Sequence, residues 1–177
     1  INNKKILRML QDKDKILNKD YKFLSRLIKL TLDTKIKFFK NDIYESGKRL
    51  NLNFGHTFAH AIEMALQSQN SDIIRHGEAV GIGMLCEIYF YEGKSKKFRD
   101  VKNLLDFYNL PVNLKNFKID KNKNKVKKQI FNNIFLDKKK IGKYPRIIRI
   151  KRIGTPKITE MKNNLKIRKT INEVLFN

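Results

Sequence analysis

Residues 76–90, HGEAVGIGMLCEIYF, constrain the fold more than any other stretch of this chain. Ala79, Val80, Ile82, Met84, Leu85, Ile88 and Phe90 make a helix here apolar on most sides, and such a helix has to be buried. Gly81 and Gly83 each cost that helix about 1 kcal/mol relative to alanine. Glycines inside a buried helix predict that another backbone lies close against it. Glu78, in the first turn, is accounted for by its favourable interaction with the helix dipole. The single Cys86 falls in the same apolar run, so an intrachain disulfide is excluded, which suits a reducing compartment.

All three histidines, His56, His60 and His76, lie close to this stretch, together with five of the eight glycines. Asn53-Phe54-Gly55 reads as the start of a helix continuing through Ala59, Ala61, Ile62, Ala65 and Leu66. His56 and His60, four residues apart, then share one face. After a polar turn over 67–72, His76 opens the second helix. Two imidazoles from two helix ends can meet at one metal ion, and a catalytic zinc keeps an open position for substrate. Satisfied surface or core histidines are the competing reading. No Cys-x-x-Cys or His-Glu-x-x-His pattern is present, and a zinc site needs a third protein ligand.

The 177 residues suffice for one domain with a core, and 41% of them are hydrophobic. No apolar run reaches membrane-spanning length and no secretory signal opens the chain, so a cytoplasmic location without membrane contact is expected. The formal charge of +23 raises nucleic-acid binding as a possibility. The lysines are spread along the whole chain, however, among abundant Asn, Ile, Phe and Tyr. That is the mark of an A- and T-rich coding sequence, and we expect no nucleic-acid partner. A basic helical nucleic-acid-binding module is kept as the alternative from another class; it requires lysines clustered on one face and binding that weakens steeply with salt.

Residues 3–17 carry an amphipathic pattern that predicts one helix, and a second is predicted from about Tyr21 to Phe39, apolar enough to face a core. Residues 42–48 read as a polar loop with Gly47 as turn residue. A helix through Val101, Leu104, Leu105 and Phe107 is stopped by Leu110-Pro111. Residues 115–129 read as a solvated segment leading into a helix that includes Val126, Ile130, Phe131, Ile134 and Leu136. Ile147–Ile153 alternates enough for a short strand ended by Gly154. Thr170-Ile171-Asn172-Glu173 has capping-box spacing and predicts a short final helix. The fold class expected is mainly α.

The run Asn53-Phe54-Gly55-His56-Thr57-Phe58-Ala59-His60-Ala61-Ile62-Glu63, followed by His76-Gly77-Glu78-Ala79-Val80, resembles the signature of the 3-dehydroquinate synthases, members of the sugar-phosphate cyclase family. The likeness extends to Glu45-Ser46-Gly47-Lys48-Arg49, Leu110-Pro111, Asp137-Lys138-Lys139 and Ile153-Gly154, in the family's order, over roughly residues 35–155. It departs at Ala59, where the family has glycine, and in a longer loop before His76. The resemblance implies a helical C-terminal domain of a two-domain α/β + α enzyme, with a short strand near 146–153. Residues 1–177 would then be one helical metal- and substrate-binding domain.

The activity implied is conversion of 3-deoxy-D-arabino-heptulosonate 7-phosphate to 3-dehydroquinate and phosphate, in the shikimate route to aromatic amino acids. Such an enzyme is a carbon–oxygen lyase that depends on NAD and on zinc or cobalt, and a homodimer is expected. By motif match His56 and His76 would be metal ligands. His60 would contact the sugar phosphate and help move protons, and Lys35 is its catalytic companion. Lys35, Arg49, Asn53 and one of Lys138 and Lys139 would hold the substrate's polar and anionic groups. Read without the resemblance, Arg49 is a surface arginine, Asn53 a helix N-cap and Asp137–Lys140 a charged helix end. The family's third metal ligand, a glutamate, and its Gly-rich NAD segment are not found in these residues. With Ile1 as first residue, the expectation is a fragment that is inactive alone. Another sugar-phosphate cyclase is the nearest alternative.

Overall fold

The computed structural model describes residues 3–40, 42–67, 74–117, 119, 123–136, 144–152 and 154–177. These form two units, 1–53 with 150–157, and 54–149 with 158–177.

The larger unit is built on helices α4 (His56–Gln67) and α5 (His76–Glu92). Ile82, Leu85 and Cys86 of α5 and Phe58 and Ile62 of α4 are completely buried, as the apolar run of α5 requires. The close approach predicted by the glycines is found. A Cβ on Gly83 would fall onto the carbonyl oxygen of Gly55, and one on Gly55 would lie 2.6 Å from the Val80 carbonyl oxygen. Gly55 also has φ +87°, a conformation that glycine adopts freely. At Gly81 the neighbour is a side chain, Leu105 Cδ2 at 3.3 Å, not a backbone.

Helix α6 (Lys96–Phe107) packs on α5 through that contact, and α7 (Lys123–Leu136) lies along α4, burying Val126, Ile130, Phe131 and Ile134. Helix α6 stops at Tyr108, before Leu110-Pro111. Asn109 turns the chain with φ +55°, and the Leu110 amide bonds back to the Leu105 carbonyl at 2.9 Å.

Strands β1 (Arg146–Arg152) and β2 (Thr155–Glu160) pair into the one sheet among the described residues, and Gly154, at φ +93°, lies in their turn. The sequence predicted β1 but not β2. Thr-Pro-Lys-Ile-Thr-Glu has little apolar alternation, because no residue of β2 is buried.

Helix α8 (Asn164–Thr170) and a π-helical turn, Ile171–Phe176, close the unit against α5. Here the expectation of a capping box at Thr170 fails. Thr170 is buried at the end of α8 with its Oγ1 bonded to the Lys166 carbonyl, while Asn163 is the N-cap, accepting the Lys166 amide at 2.9 Å.

The smaller unit holds α1 (Lys4–Met9), α2 (Lys13–Leu17), α3 (Tyr21–Phe39) and a 3-10 helix, Lys48–Asn53. Residues 3–17 are thus two helices, not one. Asp12 breaks the run because its side chain caps α2, accepting the Lys15 amide. Helix α3 has the predicted limits but no buried residue; Ile28, Leu32 and Ile36 are 58%, 52% and 48% exposed. Its apolar stripe therefore does not face a core in this chain. No described helix is long and apolar enough to cross a membrane.

Candidate metal centre

Three imidazoles gather at one end of the α4–α5 pair. His56 and His60 lie one turn apart on α4, and His76 is the first residue of α5. The ring centroids of His56 and His76 are 5.4 Å apart, those of His56 and His60 5.7 Å, and those of His60 and His76 6.1 Å. Two imidazoles on one tetrahedral zinc, with Zn–N near 2.0–2.1 Å, place their centroids about 5 Å apart. The pair nearest that spacing is His56 and His76.

The hydrogen bonds at the other ring nitrogen agree. His56 Nδ1 lies 3.3 Å from the Phe54 carbonyl, and His76 Nδ1 lies 2.9 Å from Glu63 Oε1. A carbonyl or carboxylate oxygen accepts, so each Nδ1 carries a hydrogen, and in the neutral ring the lone pair a metal needs then lies on Nε2. These two residues fit a metal. Among the described residues no group of three His, Cys, Asp or Glu side chains stands at coordinating geometry. His56 and His76 could therefore supply only part of a ligand set.

Two hydrogen bonds tie the α4–α5 pair to β1. Thr57 Oγ1 donates to the Arg146 carbonyl at 2.7 Å. Glu87, on α5 and 1% exposed, accepts the Ile148 amide at 2.9 Å. Burial pushes the Glu87 carboxyl well above the usual carboxylate range, while the amides of Ile148, Gly55 and Thr57 act in the opposite sense. One buried acid thus joins α5 to β1.

The residues assigned to substrate lie apart in sequence. In the loop 42–49, Asp42 organises the backbone: Oδ1 accepts the Ser46 amide and Oδ2 accepts the amides of Gly47 and Arg49, each at 2.8 Å. The Arg49, Ser46 and Gly47 amides hold the Asp42 carboxyl below its ordinary range. Arg49 stacks its guanidinium 3.8 Å over the Phe39 ring and donates to the Ile43 carbonyl at 2.6 Å. Asn53 is not an N-cap. It ends the 3-10 helix and its side-chain amide donates to Glu45. Lys35, on α3, reaches over the same Phe39 ring at 5.8 Å. Lys138 and Lys139 lie outside the described residues.

Three residues of this arrangement were missed in the sequence. Glu63 stands seven residues after His56, two helical turns along the same face. Glu87 is a lone acid in an apolar run. Asp42 precedes a Ser-Gly pair, a turn pattern that signals a side-chain-to-backbone loop.

A family model described as 3-dehydroquinate synthase C-terminal matches residues 1–140. The chain belongs to this family. Among 3-dehydroquinate synthase relatives, that of Francisella tularensis subsp. holarctica (strain FTNF002-00 / FTA) is 33% identical over 158 residues, covering 86% of this chain and 41% of the relative. That of Acetivibrio thermocellus is 34% identical over 145 residues, covering 79% of this chain and 37% of the relative. A crystal structure of 2-deoxy-scyllo-inosose synthase, complexed with carbaglucose-6-phosphate, NAD+ and Co2+, superposes with a TM-score of 0.69 at 25% identity. It covers 87% of this chain and 43% of that one.

The chain therefore spans about two fifths of the length of the 3-dehydroquinate synthases it matches. The family read from the histidine motifs holds, and so does the mainly helical fold. The match begins earlier than the motifs do, taking in α1 and α2.

Proposed function

We propose that this chain is the metal- and substrate-binding portion of a 3-dehydroquinate synthase, acting on 3-deoxy-D-arabino-heptulosonate 7-phosphate in the shikimate route. The observation that carries the proposal is the His56–His76 pair at 5.4 Å with both Nδ1 atoms committed to oxygen acceptors, inside the stretch that matches the family. The activity is that of a phosphate-eliminating lyase, and its cofactors are NAD and a divalent metal. The Co2+ and NAD+ bound by the 2-deoxy-scyllo-inosose synthase support that choice.

His56 and His76 would hold a divalent metal, which would supply a Lewis acid to polarise a substrate hydroxyl or ketone. A further ligand, a carboxylate by the family resemblance, would be needed beside them. His60, one turn from His56 and within 6.1 Å of His76, takes and returns protons at the substrate. Arg49 offers a planar fork of donors to an anionic group. Asn53 offers an amide to hydroxyls, and Lys35 with Lys138 or Lys139 neutralises phosphate or carboxylate charge. The described elements include no strand–glycine turn–helix unit of the dinucleotide-binding kind, so no NAD contact is given to any of these residues. The 177 residues alone are expected not to turn over. The working protein is proposed to be cytoplasmic and a homodimer.

The test is a chimera in which this chain replaces the matching C-terminal part of the Francisella relative. Restored NAD-dependent release of phosphate from 3-deoxy-D-arabino-heptulosonate 7-phosphate supports the proposal. A folded chimera that binds metal but releases phosphate only from a hexose 6-phosphate would move the chain to another sugar-phosphate cyclase, the second reading favoured by the structural neighbour.

A further inference from the structure

We infer that Glu63 is the positioning residue for His76, fixing that ring in the tautomer and orientation that a metal requires. The inference rests on the reading of His76 as a ligand. Glu63 lies on α4, two turns beyond His56, so the helix that presents one candidate ligand also reaches across to orient the other. Its Oε1 is 2.9 Å from His76 Nδ1.

The exposures of the two side chains differ in a way that gives the pair a direction. Glu63 is 19% exposed and His76 58%. The carboxylate is the more firmly held partner, and the imidazole at the head of α5 is the group that gains an orientation. An exposed histidine left to water favours the tautomer with hydrogen on Nε2, which blocks coordination there. The Glu63 carboxylate reverses that preference: it accepts from Nδ1, leaves the lone pair on Nε2, and makes the imidazole a stronger donor to a cation. His56 obtains the same tautomer from a backbone carbonyl, which no substitution can remove. His76 depends on a side chain, and so the prediction is specific to one position.

An incidental surface ion pair is the competing account, and it predicts no effect on tautomer or metal affinity. Two readouts on the 177-residue chain separate them. In long-range proton–nitrogen spectra of the metal-free chain at pH 8, His76 is expected in the Nδ1–H form. Glu63→Leu returns it to the Nε2–H form, while Glu63→Gln, whose carbonyl still accepts, keeps it. In a Zn2+ titration, Glu63→Leu is expected to bind about 10–100-fold more weakly than the parent, and Glu63→Gln to recover most of that loss. An unchanged His76 tautomer in Glu63→Leu, or zinc affinity within twofold of the parent, overturns the inference. A parent chain that binds no zinc overturns the metal reading itself, and is recognised separately because the tautomer measurement needs no metal.

Discussion

At the scale of single residues, most of the chemistry depends on side chains that hold other groups in place. Glu87 is the clearest case. Its carboxyl is raised by burial, so the folded state binds a proton that the unfolded state has already released at mildly acidic pH. Stability contributed by the protonated form is therefore present at low pH. It declines as pH rises from the ordinary glutamate range toward the raised value. Glu87→Gln is expected to flatten this slope in urea unfolding between pH 4.5 and 8, a range set by the ordinary glutamate pKa of about 4.3. Glu87→Ala, which strips the Ile148 amide of its acceptor, should cost roughly 1–3 kcal/mol.

Asp42 works the opposite way. Its carboxyl is lowered by the Arg49, Ser46 and Gly47 amides, so its contribution is kept above the ordinary aspartate range and lost on acidification. Asp42→Ala should speed hydrogen exchange at those three amides while leaving α4 and α5 protected; unchanged exchange there would show that the loop holds itself. Such residues are hard to find in a sequence. A lone acid among apolar residues looks like noise until the strand amide it accepts is seen beside it.

At the scale of elements, the pattern of apolar residues was informative where burial on many sides leaves little choice. The α5 run, the limits of α3 and the two-helix origin of the histidine cluster were all legible. What failed were places where local hydrogen bonding competes with periodicity. Asp12 splits residues 3–17 by capping α2, and Thr170 continues a helix instead of starting one. Strand β2 escaped because it buries no residue on either face and so needs no apolar alternation.

The glycines of α5 offer a test of the packing account. Gly83→Ala drives a methyl into the Gly55 carbonyl, and should cost at or above the roughly 1–3 kcal/mol usual for overpacking. It should also disturb the His56 ring, because Gly55 immediately precedes it. Gly77→Ala, in the same helix, meets nothing within 4 Å. It should be neutral or stabilise by up to about 1 kcal/mol. Thermal unfolding of the two variants decides, and equal effects would mean that the helices do not meet at Gly55 and Gly83 as described.

At the scale of the whole molecule, the chain matches part of a longer kind of protein. The family match covers residues 1–140, and the relatives are more than twice as long as the stretch they share with this chain. The sequence made the family and the clustering of the three histidines legible, because they fall at helical spacings around glycines that bring α4 and α5 together. It did not reveal Glu63 beside His76, because a helix-surface glutamate carries no mark of its partner until α4 and α5 are seen together. The proposed metal centre requires His56 and His76 to act as one pair. The direct measurement is a Zn2+ titration of the 177-residue chain followed through the ring nitrogens of its three histidines. The account predicts that Nε2 of His56 and of His76 shift together along one isotherm saturating at one equivalent, and that His56→Ala and His76→Ala each abolish the response without unfolding α4 and α5. Zinc binding that leaves both rings unmoved, or that survives both substitutions, would contradict it.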